Sequence, residues 1–418
     1  MWKQVKESFW KENRESKVDE VMDAVQDIID LVRFEGDKAL ADLTMKFDKV
    51  MIEDIEVSRD EIEEAYENVD PILLDEIENA ADFIQRFHEL QVPEDLWLKE
   101  IEPGITLGVK STPLERVGCY IPGGRASYPS TALMCVIAAK AAGVEEVICC
   151  TPPPVSPLTL VAMDIAGADE IYKVGGAQAI AAMALGTESI EPVQKVVGPG
   201  NVYVTAAKMM LRKNVEIDFP AGPSEIGVLA DETANAEFIA ADLLAQAEHD
   251  PSSACLLVTT DPELPDEVWS FMEEQMEGAP RKDIMLSALK NSGYIVEEDM
   301  ELAAEIMNGI APEHLSIQVK DPLDVLSRIT NAGSVFIGPY TPIAAGDYAS
   351  GTNHVLPTAG YAATMSGLNV SHFRKTSTVQ MISRDGLAVL APTIIALSKA
   401  EGLHAHSDSV KIRGRKEE

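Results

Sequence analysis

Early in the chain, apolar residues recur at helical spacing. Val18, Val21, Met22, Val25, Ile28, Ile29 and Val32 fall at i, i+3, i+4 and i+7, the stripe of an amphipathic helix. Ser58-Arg59-Asp60-Glu61 has the form of a capping box ahead of another acidic helix. Residues 17–92 are therefore predicted to be helical, with Glu and Asp on their outer faces. At Arg116 the pattern changes. Short β-rich runs (Val117–Ile121, Glu146–Cys150, Glu170–Val174, Lys195–Val197 and Val215–Asp218) alternate with Ala-rich stretches at Thr131–Ala142, Leu158–Ala166, Ala177–Leu185 and Val202–Leu211. Strand and helix in turn at this pitch predict βαβ units and a parallel sheet.

Glycine marks nearly every strand-to-helix junction: Pro122-Gly123-Gly124, Gly175-Gly176-Ala177 and Gly198-Pro199-Gly200. In open α/β sheets, ligands bind beyond the carboxyl ends of the strands, where such turns lie. A second α/β region follows, with strands predicted at Ile226–Ala230, Ala254–Thr259, Tyr294–Val296, Leu315–Val319 and Ser334–Ile337, and a helix at Ala234–Ala247. The turn Phe219-Pro220-Ala221-Gly222-Pro223-Ser224 faintly echoes Tyr120-Ile121-Pro122-Gly123-Gly124, which suggests two related halves with a boundary near residue 222. From about residue 364 the chain reads as an extended segment, one helix (Leu387–Lys399) and a polar end, a tail suited to docking on another subunit.

Length and charge narrow the picture. A chain of 418 residues exceeds the size at which one core usually stops growing, so two core-bearing domains are expected. Its 69 acidic residues against 34 basic ones give a net charge of −35, a field that repels nucleic acids and anionic membranes. The acidity otherwise reads as a solvated surface, suited to a salty cytoplasm. No stretch approaches the roughly 18 apolar residues of a membrane span, and the N-terminus lacks the apolar core of a signal peptide, so a cytoplasmic location is expected. The 5 cysteines show no Cys-x-x-Cys spacing and lie mostly in apolar runs, as reduced core residues would.

Chemistry concentrates in the histidines. Of the 7, all but His88 lie beyond residue 248, and His249 and His314 each follow a glutamate. Gln246 and His249 are three apart near a predicted helix end, so both point the same way. Taken alone, Gln-x-x-His reads first as an ordinary polar helix end. With Asp347 and His406 it also has the N and O donors of a divalent-metal site left with open positions, which fits catalytic zinc better than structural zinc. Glu313-His314, between a helical run and a strand, reads either as a surface pair or as an acid–imidazole couple able to move protons in separate steps. The run Gly346–Thr358, with Asp347, Ser350, Gly351, Asn353 and His354, has more specific polarity than a plain surface loop needs. No Gly-x-Gly-x-x-Gly follows a strand, so these residues support a ligand cleft without naming a dinucleotide.

Several motifs together carry a resemblance. They are Cys119-Tyr120-Ile121-Pro122-Gly123-Gly124, Gly175-Gly176-Ala177-Gln178-Ala179-Ile180, Gly198-Pro199-Gly200-Asn201, Pro220-Ala221-Gly222-Pro223-Ser224-Glu225, Gln246-Ala247-Glu248-His249, Ala311-Pro312-Glu313-His314-Leu315 and Ala345–Thr358. In this order, over almost the whole length, the chain resembles the histidinol dehydrogenase family. The resemblance implies oxidation of L-histidinol to L-histidine in two NAD-dependent steps through an enzyme-held aldehyde, the last stage of histidine synthesis. It also implies NAD bound on an incomplete Rossmann-like domain without the glycine fingerprint. By motif, Tyr120, Gln178 and Asn201 match the family's NAD contacts, and Gln246, His249, Asp347 and His406 its zinc ligands, one ion per subunit. Ser224, His314 and Glu401 match substrate contacts, joined by the four zinc ligands, and Glu313 and His314 match the catalytic proton-transfer pair. In the family the C-terminal ligand reaches across an intertwined homodimer with shared active sites.

The expected fold is α/β, with two incomplete Rossmann-like domains, a helical N-terminal region and an extended dimerisation tail. Its expected parts are an arm over 1–20, a discontinuous metal and substrate domain over 21–115 and 225–363, an NAD domain over 116–224, and a tail over 364–418. His404 and His406 compete locally for the last ligand place, and the family pattern favours His406. The nearest rival is a paralogous zinc and NAD dehydrogenase acting on another small alcohol, such as a sulfonated diol. Glu401 and the Glu-x-x-x-x-His tail favour histidinol, since a carboxylate suits a cationic amino alcohol. A zinc hydrolase with Glu313 as base differs in needing no NAD, and a metal- or ligand-binding protein without turnover leaves the proton-transfer pair beside metal ligands unexplained.

Overall fold

A computed structural model describes residues 2–12, 18–123, 127–220 and 222–414. Gly124 and Ala221 of the two echoing turns lie outside the described residues, as do parts of the expected N-terminal arm and the last residues of the tail. The chain forms two compact units, one of Met1–Gln91 with Glu115–Phe373 and one of Val92–Leu114 with Arg374–Glu418.

The larger unit holds two parallel sheets, and the smaller an antiparallel one. In chain order the strands are β1 (Leu96–Glu102), β2 (Ile105–Pro113), β3 (Arg116–Tyr120), β4 (Glu146–Cys150), β5 (Glu170–Tyr172), β6 (Lys195–Val197), β7 (Glu216–Ile217), β8 (Glu225–Ala230), β9 (Ala254–Thr259), β10 (Gly293–Val296), β11 (His314–Gln318), β12 (Ser334–Ile337) and β13 (Arg374–Ile382). The first parallel sheet has the order β5-β4-β3-β6-β7 and the second β10-β9-β8-β11-β12. Each is the Rossmann order without its sixth strand, with the direction of winding reversing at the first strand. The fold is the α/β architecture expected, and every strand predicted between residues 117 and 337 is present to within two residues at either end.

These strands form because their residues are buried on both faces. In the second sheet Ile226, Val228 and Ala230 of β8 and Cys255 and Leu257 of β9 face one core, with Ile239, Leu243 and Ala247 of the helix Ala236–Ala247. Their alternates Leu229, Leu256 and Val258 face the other, with Leu315 and Ile317 of β11 and Met307 of the helix Met300–Ile310. A period of two along each strand puts successive side chains into opposite layers. The predicted amphipathic helix spans Val18–Glu35, and it buries Val25, Ile28, Ile29 and Val32 with Ile180, Met183 and Ala206, from two helices of the first sheet. Each such side chain contributes about 1.5–3 kcal/mol by leaving water. All five cysteines are free and buried, and none of the described helices is long and apolar enough to cross a membrane.

One buried ion pair braces the first sheet. Lys208, on the helix Val202–Met210, meets Asp218 just beyond β7, with their side chains only 3% and 1% exposed. Both also hold Gly198: its carbonyl accepts from Lys208 Nζ at 2.9 Å and its N–H donates to Asp218 at 2.8 Å. Gly198 has φ +112°, and a Cβ there would lie 2.2 Å from the Tyr120 carbonyl oxygen, so only glycine fits this turn.

The smaller unit differs from its sequence reading. Residues between the predicted helical region and Arg116 form the hairpin β1–β2, and β13, from the stretch expected to be extended, pairs with β2 from Arg374↔Pro113 to Ile382↔Ile105. Strand β1 is exposed along its whole length, which removes the alternation that marks a strand in sequence. The helix predicted at Leu387–Lys399 spans Arg384–Ala400, capped by Ser383, whose hydroxyl accepts from the Gly386 N–H. The polar end forms a second helix, His404–Arg413.

Lys208→Met leaves the Asp218 carboxylate buried without its cation, and is expected to cost about 3–5 kcal/mol of stability. Urea unfolding of the variant beside the wild type checks this; a loss under about 1 kcal/mol would show that water replaces the lysine.

Candidate active site

The site begins where the helix Met300–Ile310 turns into β11. Ala311 stops that helix in a left-handed conformation, φ +49°, and Pro312 directs the chain into the strand. Strands β8 and β11 pair with His314 opposite Ile226, which sets Glu313 beside Glu225. The Glu225 N–H donates to the Glu313 carboxylate at 2.8 Å, and the Glu225 carbonyl lies 3.3 Å from His314 Nδ1. On the other side the Glu313 carbonyl accepts from the Ser334 N–H at 2.9 Å. Gly333 passes so close that a Cβ on it would lie 2.5 Å from that carbonyl oxygen. Glu313 is thus fixed by backbone on two strands. Ser224 immediately precedes β8, and its carbonyl accepts from the Ala254 N–H at 3.1 Å.

Three charged groups stand in a row. His314 Nδ1 is 3.6 Å from Glu313 Oε2, and its Nε2 is 3.6 Å from Asp347 Oδ1, with the Glu313 and His314 side chains 7% and 6% exposed. Burial pushes the Glu313 carboxyl up to about 7, against the pull of His314 and of the Glu225 N–H. Burial alone would lower His314, but Glu313 and Asp347 together raise it to about 9. Burial would likewise raise Asp347, yet the His314 ring, with His354 and His249, holds it below its ordinary value. The His314 ring also lies 5.8 Å from that of Phe336 on β12.

Asp347 was expected in a loop. It lies instead on a short helix, Ile343–Tyr348, whose Gly346 packs so closely that a Cβ would meet the Phe336 ring at 2.7 Å. Asp242, one turn before Gln246, accepts from the Ile343 N–H at 3.3 Å and so ties that helix to the helix Ala236–Ala247. Burial raises the Asp242 carboxyl to about 6. Asp242 escaped the sequence reading, although its i, i+4 relation to Gln246 was a usable signal.

Gln246 lies in the last turn of the helix Ala236–Ala247, and His249 in the turn just beyond it. His249 reaches solvent, but loss of water around its ring lowers its affinity for a proton, with Asp347 opposing and His314 reinforcing. Gln246 is buried, and neither its Oε1 nor its Nε2 has a hydrogen-bond partner. Two buried amide atoms left unpaired cost several kcal/mol unless something else satisfies them, on the order of 1–3 kcal/mol each. Among the described residues no three His, Cys, Asp or Glu side chains form a complete metal cage. Of the expected set, His249 and Asp347 are close enough to influence each other's charge, and Gln246 lies three residues before His249; a neutral and anionic N and O set of this kind would suit zinc. Glu401 and His406 belong to the smaller unit, where Glu401 caps the C-terminus of one helix and His406 lies in the first turn of the next, both exposed.

His354, singled out earlier without a role, is partly buried beside this group. Its Nδ1 lies 2.8 Å from the Asp347 carbonyl and its Nε2 3.4 Å from the Thr131 hydroxyl. Thr131 belongs to the helix Pro129–Ala141, which follows β3, so the amino edge of the second sheet meets the carboxyl edge of the first here. At that carboxyl edge the helices starting at Pro129, Gly176 and Val202 all direct their N-termini, a setting that favours phosphate. Tyr120 is buried at the end of β3 and its hydroxyl accepts from the Gly176 N–H at 3.0 Å. Gln178 is buried in the first turn after that glycine. Asn201 caps its helix, with Oδ1 accepting from the N–H groups of Tyr203 and Val204, so any ligand contact falls to its amide nitrogen.

Known proteins match this chain over nearly its whole length. The family model described as histidinol dehydrogenase matches residues 11–414. A histidinol dehydrogenase of Methanosarcina barkeri is 52% identical over 405 residues, 96% of this chain and 94% of the relative. One from Haloarcula marismortui is 50% identical over 405 residues, covering 96% and 95%. A solved histidinol dehydrogenase structure from Elizabethkingia anophelis superposes with a TM-score of 0.94 at 41% identity, covering 99% of this chain and 97% of that one. The chain belongs to the histidinol dehydrogenase family.

Proposed function

We propose that this chain oxidises L-histidinol to L-histidine with two molecules of NAD, as the final step of histidine synthesis in the cytoplasm. The observation that carries the reading is the buried Glu313–His314 couple, with Asp347 on its far side and the unpartnered Gln246 amide nearby. Gln246, His249 and Asp347 would hold one zinc ion per subunit, with His406 of a second copy completing the set in a homodimer with shared active sites. Tyr120, Gln178 and Asn201 would shape the NAD site on a domain spanning 116–224. Ser224, His314 and Glu401 would contact the substrate together with the zinc ligands, around the second sheet, with the C-terminal segment of a second copy crossing to complete the site.

When bound, NAD accepts the hydride of each oxidation and zinc supplies an electrophilic anchor for the substrate's nitrogen donors. Glu313 and Asp347 favour the protonated His314 ring; a cation held by Asp347 would weaken that carboxylate's part, so that the ring would serve as a base. His314 then takes the alcohol proton as the alcohol carbon gives up its hydride, which leaves an aldehyde and one NADH. Glu313, fixed by the Glu225 N–H, takes a proton from water as the oxygen attacks that aldehyde. The resulting hydrate anion loses a second hydride and a proton to give the carboxylate, so one histidinol, two NAD+ and one water become histidine, two NADH and three protons. A carboxyl raised by burial to about 7 is suited to that exchange at neutral pH. Glu401 would meet the cationic amine, which favours histidinol over a sulfonated diol.

Purified protein with L-histidinol is expected to form two NADH per substrate, to lose activity to a chelator and to regain it with zinc. One NADH per substrate, or turnover of sulfonated diols in its place, would point to a plain alcohol dehydrogenase. Glu313→Gln is expected to slow oxidation of added histidinaldehyde by about 10²–10⁴-fold, the typical worth of a general base; an undiminished rate would remove Glu313 from that role. His406→Ala is expected to lose zinc while His404→Ala retains it, which metal analysis of the two purified variants decides.

A further inference from the structure

One buried histidine takes no part in the chemistry above. His88, on the helix Pro71–Glu89, is completely buried, and both its ring nitrogens are engaged. Nδ1 lies 2.7 Å from the Ile84 carbonyl oxygen and Nε2 3.3 Å from Asn353 Nδ2. The proton positions follow from the partners. Asn353 Nδ2 also donates to the Met134 carbonyl at 2.8 Å, and Asn353 Oδ1 accepts from the Val355 N–H at 2.9 Å, so the amide orientation is fixed. His88 Nε2 must therefore accept, and Nδ1 carries the proton that Ile84 receives. The ring is neutral and locked in one tautomer.

Asn353 precedes His354, whose Nδ1 lies 2.8 Å from the Asp347 carbonyl. Between them Gly351, φ +95°, lies so close to the same His88 helix that a Cβ would stand 2.5 Å from the Phe83 carbonyl oxygen. The segment 347–355 is thus seated on that helix at Gly351 and at Asn353, and only Asn353 makes a directional side-chain bond to it.

We propose that His88 is a positioning residue, which through Asn353 fixes the segment that carries Asp347 and His354 in the geometry the site needs. A group with no contact to substrate or cofactor then controls the aim of a carboxylate facing His314. Polar partners of this kind around metal ligands typically change metal affinity about 10–100-fold when lost. The zinc part of this inference rests on the metal reading above; the seating of the segment does not.

Two substitutions separate positioning from bulk packing. In H88Q the side-chain oxygen sits near the place of Nε2 and still accepts from Asn353. In H88N the amide nitrogen replaces Nδ1 and keeps the Ile84 contact, but nothing reaches Asn353. The expected result for H88N is a zinc dissociation constant raised about tenfold, a raised KM for histidinol with an unchanged KM for NAD, and faster amide exchange over residues 347–356 in metal-free protein. H88Q is expected to recover most of each effect at a similar melting temperature. Wild-type exchange and zinc affinity in H88N, or equal defects in both variants that follow their melting temperatures, would overturn the proposal. If the wild type itself binds no zinc, the metal reading fails, and the exchange rates of the metal-free variants still decide the latch.

Discussion

A buried imidazole between two carboxylates is the constraint around which the larger unit is arranged. Taking Glu313, His314 and Asp347 out of water costs several kcal/mol per charge, and their mutual attraction offsets this only if the geometry is held. The structure holds it with backbone. Glu313 is gripped by β8 on one side and β12 on the other, His314 opens β11, and Asp347 rides on a helix pinned by Asp242 and wedged against Phe336. Among the described residues, Gln246 is the one side-chain amide whose two polar atoms are both buried and without a hydrogen-bond partner.

The two parallel sheets share one strand order but use opposite ends. The first places its glycine turns and helix N-termini at the carboxyl edge, the usual place for a ligand in an open α/β sheet. The second gathers Ser224, Glu225, Glu313 and His314 at the amino ends of its two central strands, where the helix Ala236–Ala247 also returns. The short passage from β7 to β8 and the contact of Thr131 with His354 bring the two edges together.

Periodicity made the two sheets legible, because strands buried on both faces appear as short β-branched runs, and all ten between residues 117 and 337 did. The antiparallel sheet was not legible, since β1 is exposed throughout and its pairing with β13 joins residues far apart in sequence. At the site, Glu313-His314 and Gln246-x-x-His249 stood out as residue types in a spacing, while their chemistry depends on neighbours no spacing reveals. Glu225 acts through its main chain, Asp242 through a helix end, and His88 through an amide more than 260 positions away along the chain, as the separation of 265 between His88 and Asn353 shows. Such groups become functional only once the fold sets them side by side.

The most direct test is where a metal scatters. Crystals of zinc-loaded protein, measured above and below the zinc absorption edge, should show one anomalous peak per subunit beside Gln246, His249 and Asp347. A peak elsewhere, with the Gln246 amide still unpaired, would contradict the account.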